Sequence, residues 1–592
     1  MFTTRPDILG DFGMVASTHW LASAVGMAVL EKGGNAFDAA VATGLTLQVV
    51  EPHMNGPAGD VPIIVYDASE ETVSVYCGQG PAPAGATIAH YRDLGLDRVP
   101  GTGLLAAVIP GAFDAWMLML LERGRLPLAD VMAPAIGYAR NGYPVIPAIR
   151  ETLAGVEALF REEWTSSAAI YLHDGVPAAN ARMRNPALAE TYGRILGEAE
   201  AAGGDREHQI EAARRAWFEG FVAEAIDRFC AESEVMDSSG ARHRGVLTAA
   251  DMAGWRARVE DPLSYDYHGH TVFKARSWSQ APVFLQQLAL LKGFDLAAMD
   301  PLGPDFVHTV VECAKLAFAD REAFYGDPDM VDVPIDPLLS DAYNEARRGL
   351  VGADASLELR PGTVPGYARS IPPHEIGEPA VPGGGLGLGE PVLAESGERP
   401  GDTCHIDVID KDGNMVSAMP SGGWLQSSPI IPALGFPLGS RAQMFWLEEG
   451  LPGSLAPGKR PRTTLTPSLA FRDGAPYMAF GTPGGDGQDQ WGVVFFLRHV
   501  HHGMSLQQAI EAPAFLSEHW PNSFYPRRAL PGRLTVEGRF SDATVAALRQ
   551  RGHDVVVSGD WSLGRLSAAS RDGDWLRAGA NPRGMQGYAI GR

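Results

Sequence analysis

Thr403, Cys404 and His405 head an alternating stretch, CHIDVIDKDGNMVSAMPS, directly after a run dense in Pro and Gly that ends in ERPGD. A threonine hydroxyl is a weak nucleophile unless a base lies against it. An α-amino group, with a pKa of about 8, can be that base. This requires a cut at Asp402–Thr403, so that Thr403 becomes a chain N-terminus. A loose segment before a strand-leading threonine would present the bond, and the strand would hold the new terminus. Composition alone favours reading residues 361–402 as an ordinary interdomain linker. Gly484-Gly485, in GTPGGDGQ, is the second chemical candidate. Adjacent glycines reach unusual backbone angles, and two amides aimed at an oxyanion are worth a few kcal/mol, roughly. Taken alone, the pair is also a plain turn.

The elements that must position these residues are legible in outline. HWLASAVGMAVLEKGGNAFDAAVATGLTLQVVEP reads as two helices, with Gly33-Gly34 ending the first and Asn35 or Asp38 capping the second. VPIIVYDASEETVSVYCG reads as two strands. Residues from about 110 to 350 are mainly helical in period, and Glu198 to Ala216 reads as a surface helix pair. After Thr403 the period becomes two, with hairpin turns at Lys411-Asp412-Gly413-Asn414 and Arg472-Asp473-Gly474. Helices are expected in SLQQAIEAPAF and DATVAALRQRG, and a closing strand pair in VVVSGDW and LGRLSAASRDGDWLRAGA.

Composition narrows the function classes. The 592 residues are 45% hydrophobic and 20% charged, which is globular. A formal charge of −23 argues against nucleic-acid or anionic-membrane partners. Four separated cysteines, with no CxxC, make neither a zinc site nor a disulfide framework. No signal-peptide run and no 18-residue apolar stretch is visible, so the expected location is cytoplasmic. Nucleotide-binding glycine loops, HExxH and GxSxG are absent. His499, His501 and His502 read as a helical or loop surface rather than a metal site, and His405 as a structural histidine.

Eight pieces, in order, resemble the gamma-glutamyltransferase (gamma-glutamyl transpeptidase) family of N-terminal-nucleophile hydrolases. They are GMVAS, EKGGNAFDAAVA, IPGAFDAW, AKLAFADREAFYGDP, DTCHIDVIDKDGNMVS, GKRPRTTLTPSL, GTPGGDGQ and GANPRG. The resemblance implies an α/β chain folded as an αββα four-layer sandwich and made as one inactive precursor. It implies a cut at Asp402–Thr403, leaving a large subunit (1–402, with 361–402 as a mobile segment before the cut) and a small one (403–592) that stay together. Thr403 would be the nucleophile, Gly484 and Gly485 the oxyanion hole, and Ser421 a hydroxyl partner of the nucleophile. Thr463 and Thr464 fall on the family's Ser-Ser pair, which helps hold the donor carboxylate. Cleavage one bond later would instead expose Cys404; the family's Thr-Thr-His pattern and Ser421 favour Thr403.

The departures bear on substrate. Ile88 stands where the family has an arginine for the donor carboxylate, with Arg92 one helical turn on. Phe445 and Trp446 stand in the place of the acids that receive the donor ammonium, and Gly423 replaces an asparagine. New polar candidates are Arg441, Asp486, Gln488 and Asp60. Arg441 is open between a carboxylate grip and a structural ion pair. The reading is a self-processing amidohydrolase or acyltransferase with a non-glutamyl donor, in a divergent branch resembling acylases and oxamate amidohydrolase. A true glutathione hydrolase or transpeptidase, and an unprocessed binding protein, are the alternatives. The expected partners are a small amide substrate and the two fragments themselves. No metal or cofactor is implied.

Overall fold

The structure, a computed structural model, describes residues 2–173, 175–377 and 403–592. Two seven-stranded sheets form its centre. One runs, edge to edge, Tyr588–Gly591, Gly13–Ser17, Ile406–Asp410, Met415–Ala418, Val61–Asp67, Thr72–Gly78 and Arg258–Glu260. The other runs Ile8–Gly10, Trp575–Ala580, Ser567–Asp572, Ala475–Gly481, Ser468–Arg472, His270–Lys274 and Leu263–Tyr267. All pairings within both sheets are antiparallel.

Alternation along each strand makes four layers. Val15, Val65, Ile406, Val408 and Val416 face a core shared with the helices Trp20–Glu31, Ala36–Val50 and Ala112–Arg123. Their neighbours Met14, Ala16, Ile64, Ile409 and Met415 face the other way, against Leu469, Ala479, Ala569 and Ala578 of the second sheet. The far side of that sheet, with Val272, Met478 and Phe480, is covered by Pro282–Leu291, Pro304–Phe324 and Gln488–His502. The result is the αββα sandwich. Strands from before and after position 402 interleave in both sheets, so a break there would divide the chain without dividing the domain.

The local signals explain these elements. Asn35 caps Ala36–Val50, and Asp38 completes a reciprocal capping box. The hairpin turns place Gly413 (φ 91°), Asp473 (φ 51°) and Gly474 (φ 80°) in the left-handed region, as tight turns between twisted strands require. The expected closing strand pair is corrected. Asp554–Ser558 lies parallel to Arg533–Glu537 in a separate three-stranded sheet, and the hairpin is Ser567–Asp572 with Trp575–Ala580. Residues 361–377 carry no helix or strand yet are tied down. The Gly362 amide donates to Asp320 at 2.6 Å, and Ile376 bridges Ala529. The rest of the segment, with Asp402, lies outside the described residues. No described helix is long and apolar enough to cross a membrane.

Candidate active site

Thr403 precedes the central strand Ile406–Asp410 and is 1% exposed. It forms an antiparallel bridge with Ser421, and the Thr403 Oγ1 and Ser421 Oγ atoms share a hydrogen bond of 3.1 Å. Ser421 is held from its other side by Asp60, through reciprocal backbone bonds of 2.9 and 3.0 Å. The two segments run backbone against backbone. A Cβ on Gly59 would lie 2.0 Å from the Ser421 carbonyl oxygen, so only glycine fits there.

Asp60 joins several candidates. Its Oδ1 accepts from Arg441 Nη2 (2.9 Å) and Nε (3.2 Å), and its Oδ2 from Thr463 Oγ1 at 3.4 Å. Burial pushes the Asp60 carboxyl up, and Arg441 and Thr463 pull it back. The Arg441 guanidinium lies 5.2 Å from the Trp424 ring and 5.9 Å from that of Phe524. Of the two readings of Arg441, the ion pair is the one present. Arg441→Met should lower the unfolding free energy by about 3–5 kcal/mol, because it strands a buried carboxylate. Adding Asp60→Asn should recover much of that. Denaturant melts of the wild type, the two single variants and the double variant decide it: a double-variant loss equal to the sum of the two single losses would show that the two charges are not coupled.

Period two separates Thr403 from Cys404. The Cys404 side chain belongs to the helix-facing core, where its Sγ donates to Glu51 at 3.0 Å and accepts from Asn55 at 3.2 Å. Burial, then the Glu51 charge, pushes this thiol well up, away from thiolate. His405 is fully buried and bonds Asp407 at 2.9 Å. Its ring sits against Gly481, where a Cβ would come within 2.5 Å. This contact aligns the end of Ala475–Gly481 with the start of Ile406–Asp410. Gly484 (φ 125°) and Gly485 (φ 48°) follow three residues on.

The remaining candidates are distributed around this centre. Thr464 is buried, and its hydroxyl has no partner among the described residues. The Gln488 Oε1 accepts from the Thr466 amide at 3.2 Å. Asp486 is tied to Arg321 Nη1 (2.5 Å) and to the Ser523 hydroxyl (2.6 Å) and amide (2.9 Å). Trp446 lies beneath Arg527, 4.0 Å from its guanidinium. Arg92 does sit on a short helix, Ile88–Asp93, but its guanidinium goes to Asp97 at 2.6 Å and is 40% exposed. It is not brought to Asp60 or Thr403. Ile88 instead packs against the apolar cluster that contains Phe445 and Ala442.

Sequence reasoning missed Arg321, Arg462 and Glu322. Arg462 Nη1 donates to Glu322 at 2.7 Å and its Nη2 to Ser523 Oγ at 3.0 Å. No local pattern marks such pairs, which join residues 140 and 61 positions apart. His499 and His501 bond the Tyr477 and Tyr267 hydroxyls at 2.6 and 2.8 Å. His308, Glu312 and His553 converge, but Glu312 is already paired with Lys315 at 2.6 Å and Arg360 at 3.1 Å.

Comparison with known proteins gives the family. The family model for gamma-glutamyltranspeptidase matches residues 22–591. The chain is 33% identical to the glutathione hydrolase-like YwrD proenzyme of Bacillus subtilis (strain 168), over 99% of each chain. It is 30% identical to the oxamate amidohydrolase proenzyme of Klebsiella pneumoniae, over 98% of each. A solved structure, LmbA2991HD, is 56% identical and superposes over 100% of both chains with a TM-score of 0.94. The chain belongs to the gamma-glutamyltranspeptidase family and is an enzyme of the N-terminal-nucleophile hydrolase type.

Proposed function

We propose that this protein is a proenzyme that cuts itself at Asp402–Thr403 and then cleaves a small amide through an acyl-enzyme on Thr403. The acyl group it takes is not γ-glutamyl. The observation that carries the reading is the 3.1 Å bond between Thr403 Oγ1 and Ser421 Oγ, at the head of a buried strand. In processing, Oγ1 adds to the Asp402 carbonyl carbon, and the acyl group passes from nitrogen to oxygen. Water hydrolyses this ester, leaving the Asp402 carboxylate and a free Thr403 amine. That amine then takes the Oγ1 proton as Oγ1 attacks a substrate amide. The Gly484 and Gly485 amides receive the oxyanion. The Thr403 ammonium passes that proton to the substrate nitrogen, the C–N bond breaks and the substrate amine leaves, and water then hydrolyses the ester on Oγ1 to release the acid. The two pieces stay associated through the shared sheets.

The donor assignment is supported by Ile88, which packs on the Phe445 cluster, and by Trp446, which stands under Arg527. A zwitterionic head group would lose both charge partners. Each such loss costs about 2–5 kcal/mol in a desolvated site. Intact mass of the purified protein should show two pieces divided at 402/403. In a panel of γ-glutamyl, glutaryl, oxamate and aminoacyl amides, γ-glutamyl amides should trail the best substrate in kcat/KM by about 30-fold or more. An uncut, fully active chain would sink the processing claim. A γ-glutamyl anilide cleaved fastest would restore the glutathione hydrolase reading, which the name of the YwrD relative favours.

A further inference from the structure

A cavity of about 460 Å³ opens beside the Gly-Gly loop, with Pro483 and Gly484 in its wall. None of Asp60, Arg441, Thr463 and Thr464 lines it. Gly484, one of the two residues proposed to receive the oxyanion, is where it meets the catalytic end. Its walls combine two indole rings, Trp491 and Trp561, with Met54 and Pro483. The Trp491 N–H is already spent on the Phe515 carbonyl at 2.9 Å, so that ring offers hydrocarbon.

Among the described residues, three basic side chains line the cavity, Arg583, Arg565 and His53, together with one acidic side chain, Glu151. Arg583 is saturated by Glu537 (2.7 and 2.9 Å) and by the Ile510 and Ala512 carbonyls (2.8 and 3.1 Å). Arg565 is different. Its guanidinium has one polar contact, to the Met54 sulfur at 3.7 Å, and no carboxylate within ion-pair distance among the described residues. His53 is 1% exposed, and neither ring nitrogen has a partner among the described residues. Burial, then the Arg565 charge, holds it neutral. A neutral imidazole carries one donor and one acceptor, and a buried polar group is ordinarily paired.

We propose that this cavity is the subsite for the amine portion of the substrate, and that it takes an apolar or aromatic amine bearing a carboxylate. Arg565 grips the carboxylate in the two-pronged manner guanidinium allows, and His53 supplies a further hydrogen bond. The inference rests on the reading of Thr403 as the atom that accepts the acyl group. The acyl side of the scissile amide then lies toward Asp60 and the two threonines. The amine side crosses the Gly484 wall into the cavity.

The test has a binding arm and a kinetic arm. 4-Aminobenzoate and aniline are titrated against the full-length protein by calorimetry, in the wild type, Arg565→Gln and Arg565→Lys. Two anilides of one acyl group, with and without a carboxylate on the ring, are compared by their kcat/KM ratio. 4-Aminobenzoate should bind at least tenfold more tightly than aniline. Arg565→Gln should erase that preference and lower the kinetic ratio at least tenfold. Arg565→Lys, which keeps the charge without the fork, should fall between and covers the case of a misfolded glutamine variant. Equal binding of the two amines, or a preference untouched in both variants, overturns the subsite. So does displacement of 4-aminobenzoate by the free acid product, which would put the acyl group in this cavity. Arg565-dependent binding without amide cleavage would overturn the catalytic reading and leave the subsite standing. Cleavage without Arg565 dependence would do the reverse.

Discussion

Thr403→Ala is expected to remain one uncut 592-residue chain and to lose about 10⁴-fold or more of its amide-cleaving activity. Both steps pass through the same oxygen. Without Oγ1 no ester with Asp402 can form, so no amine is freed, and no acyl-enzyme can form on the uncut chain. Thr403→Ser keeps the hydroxyl and should still cut, more slowly. Cys404→Ala should cut normally, because the Cys404 thiol points into the helix-facing core and is pushed well up by burial. Its effect should appear in stability, through the lost contacts to Glu51 and Asn55. Intact mass and a single amide assay read all three variants. A Thr403→Ala chain found in two pieces would mean that the wrong residue has been assigned.

The part of this architecture that the sequence displays is local. Asp-Gly turns, the Asn35 cap and period-two strands follow from backbone preferences over a few residues, and each appears at its expected place. The opposite placement of Thr403 and Cys404 was not used at the level of sequence, where the family's Thr-Thr-His pattern and Ser421 favoured Thr403, although neighbouring residues on a strand face opposite ways. The layer order is different. It came from resemblance, because nothing local says that Ile406–Asp410 pairs with Gly13–Ser17 almost four hundred positions earlier. The charges were the least legible. Arg441 finds Asp60 across 381 positions, and Arg92, which looked suitably spaced, is held at the surface by Asp97. Propensity decides whether a helix forms under Arg92; only tertiary packing decides where its guanidinium goes.

That distinction gives the second large effect. Gly484→Ala should lower kcat by about 10²–10³-fold, the usual result of removing one oxyanion donor, while KM changes little. The backbone at Gly484 has φ 125° and ψ 48°, a region that L-residues rarely enter. A Cβ there would also lie 2.3 Å from Cζ3 of Trp491. The ring cannot retreat. Its N–H is tied to Phe515, and the Cα positions of Gly487 and Gly564 press on the same indole, so that a Cβ on either would come within 2.8 and 3.2 Å. The loop must therefore move, and the Gly484 amide loses its aim. Gly487→Ala is the matched comparison. It crowds the same ring but has φ −73°, which alanine adopts without strain, and it is not an oxyanion donor in this reading. If crowding alone mattered, the two variants would suffer alike. If aim matters, Gly484→Ala loses turnover at least tenfold more than Gly487→Ala, and its self-cleavage slows in parallel wherever the same amides serve that step. A Gly484→Ala enzyme within threefold of the wild-type kcat would remove this loop from the catalytic machinery and leave the Thr403 assignment to stand or fall by the uncut-chain result.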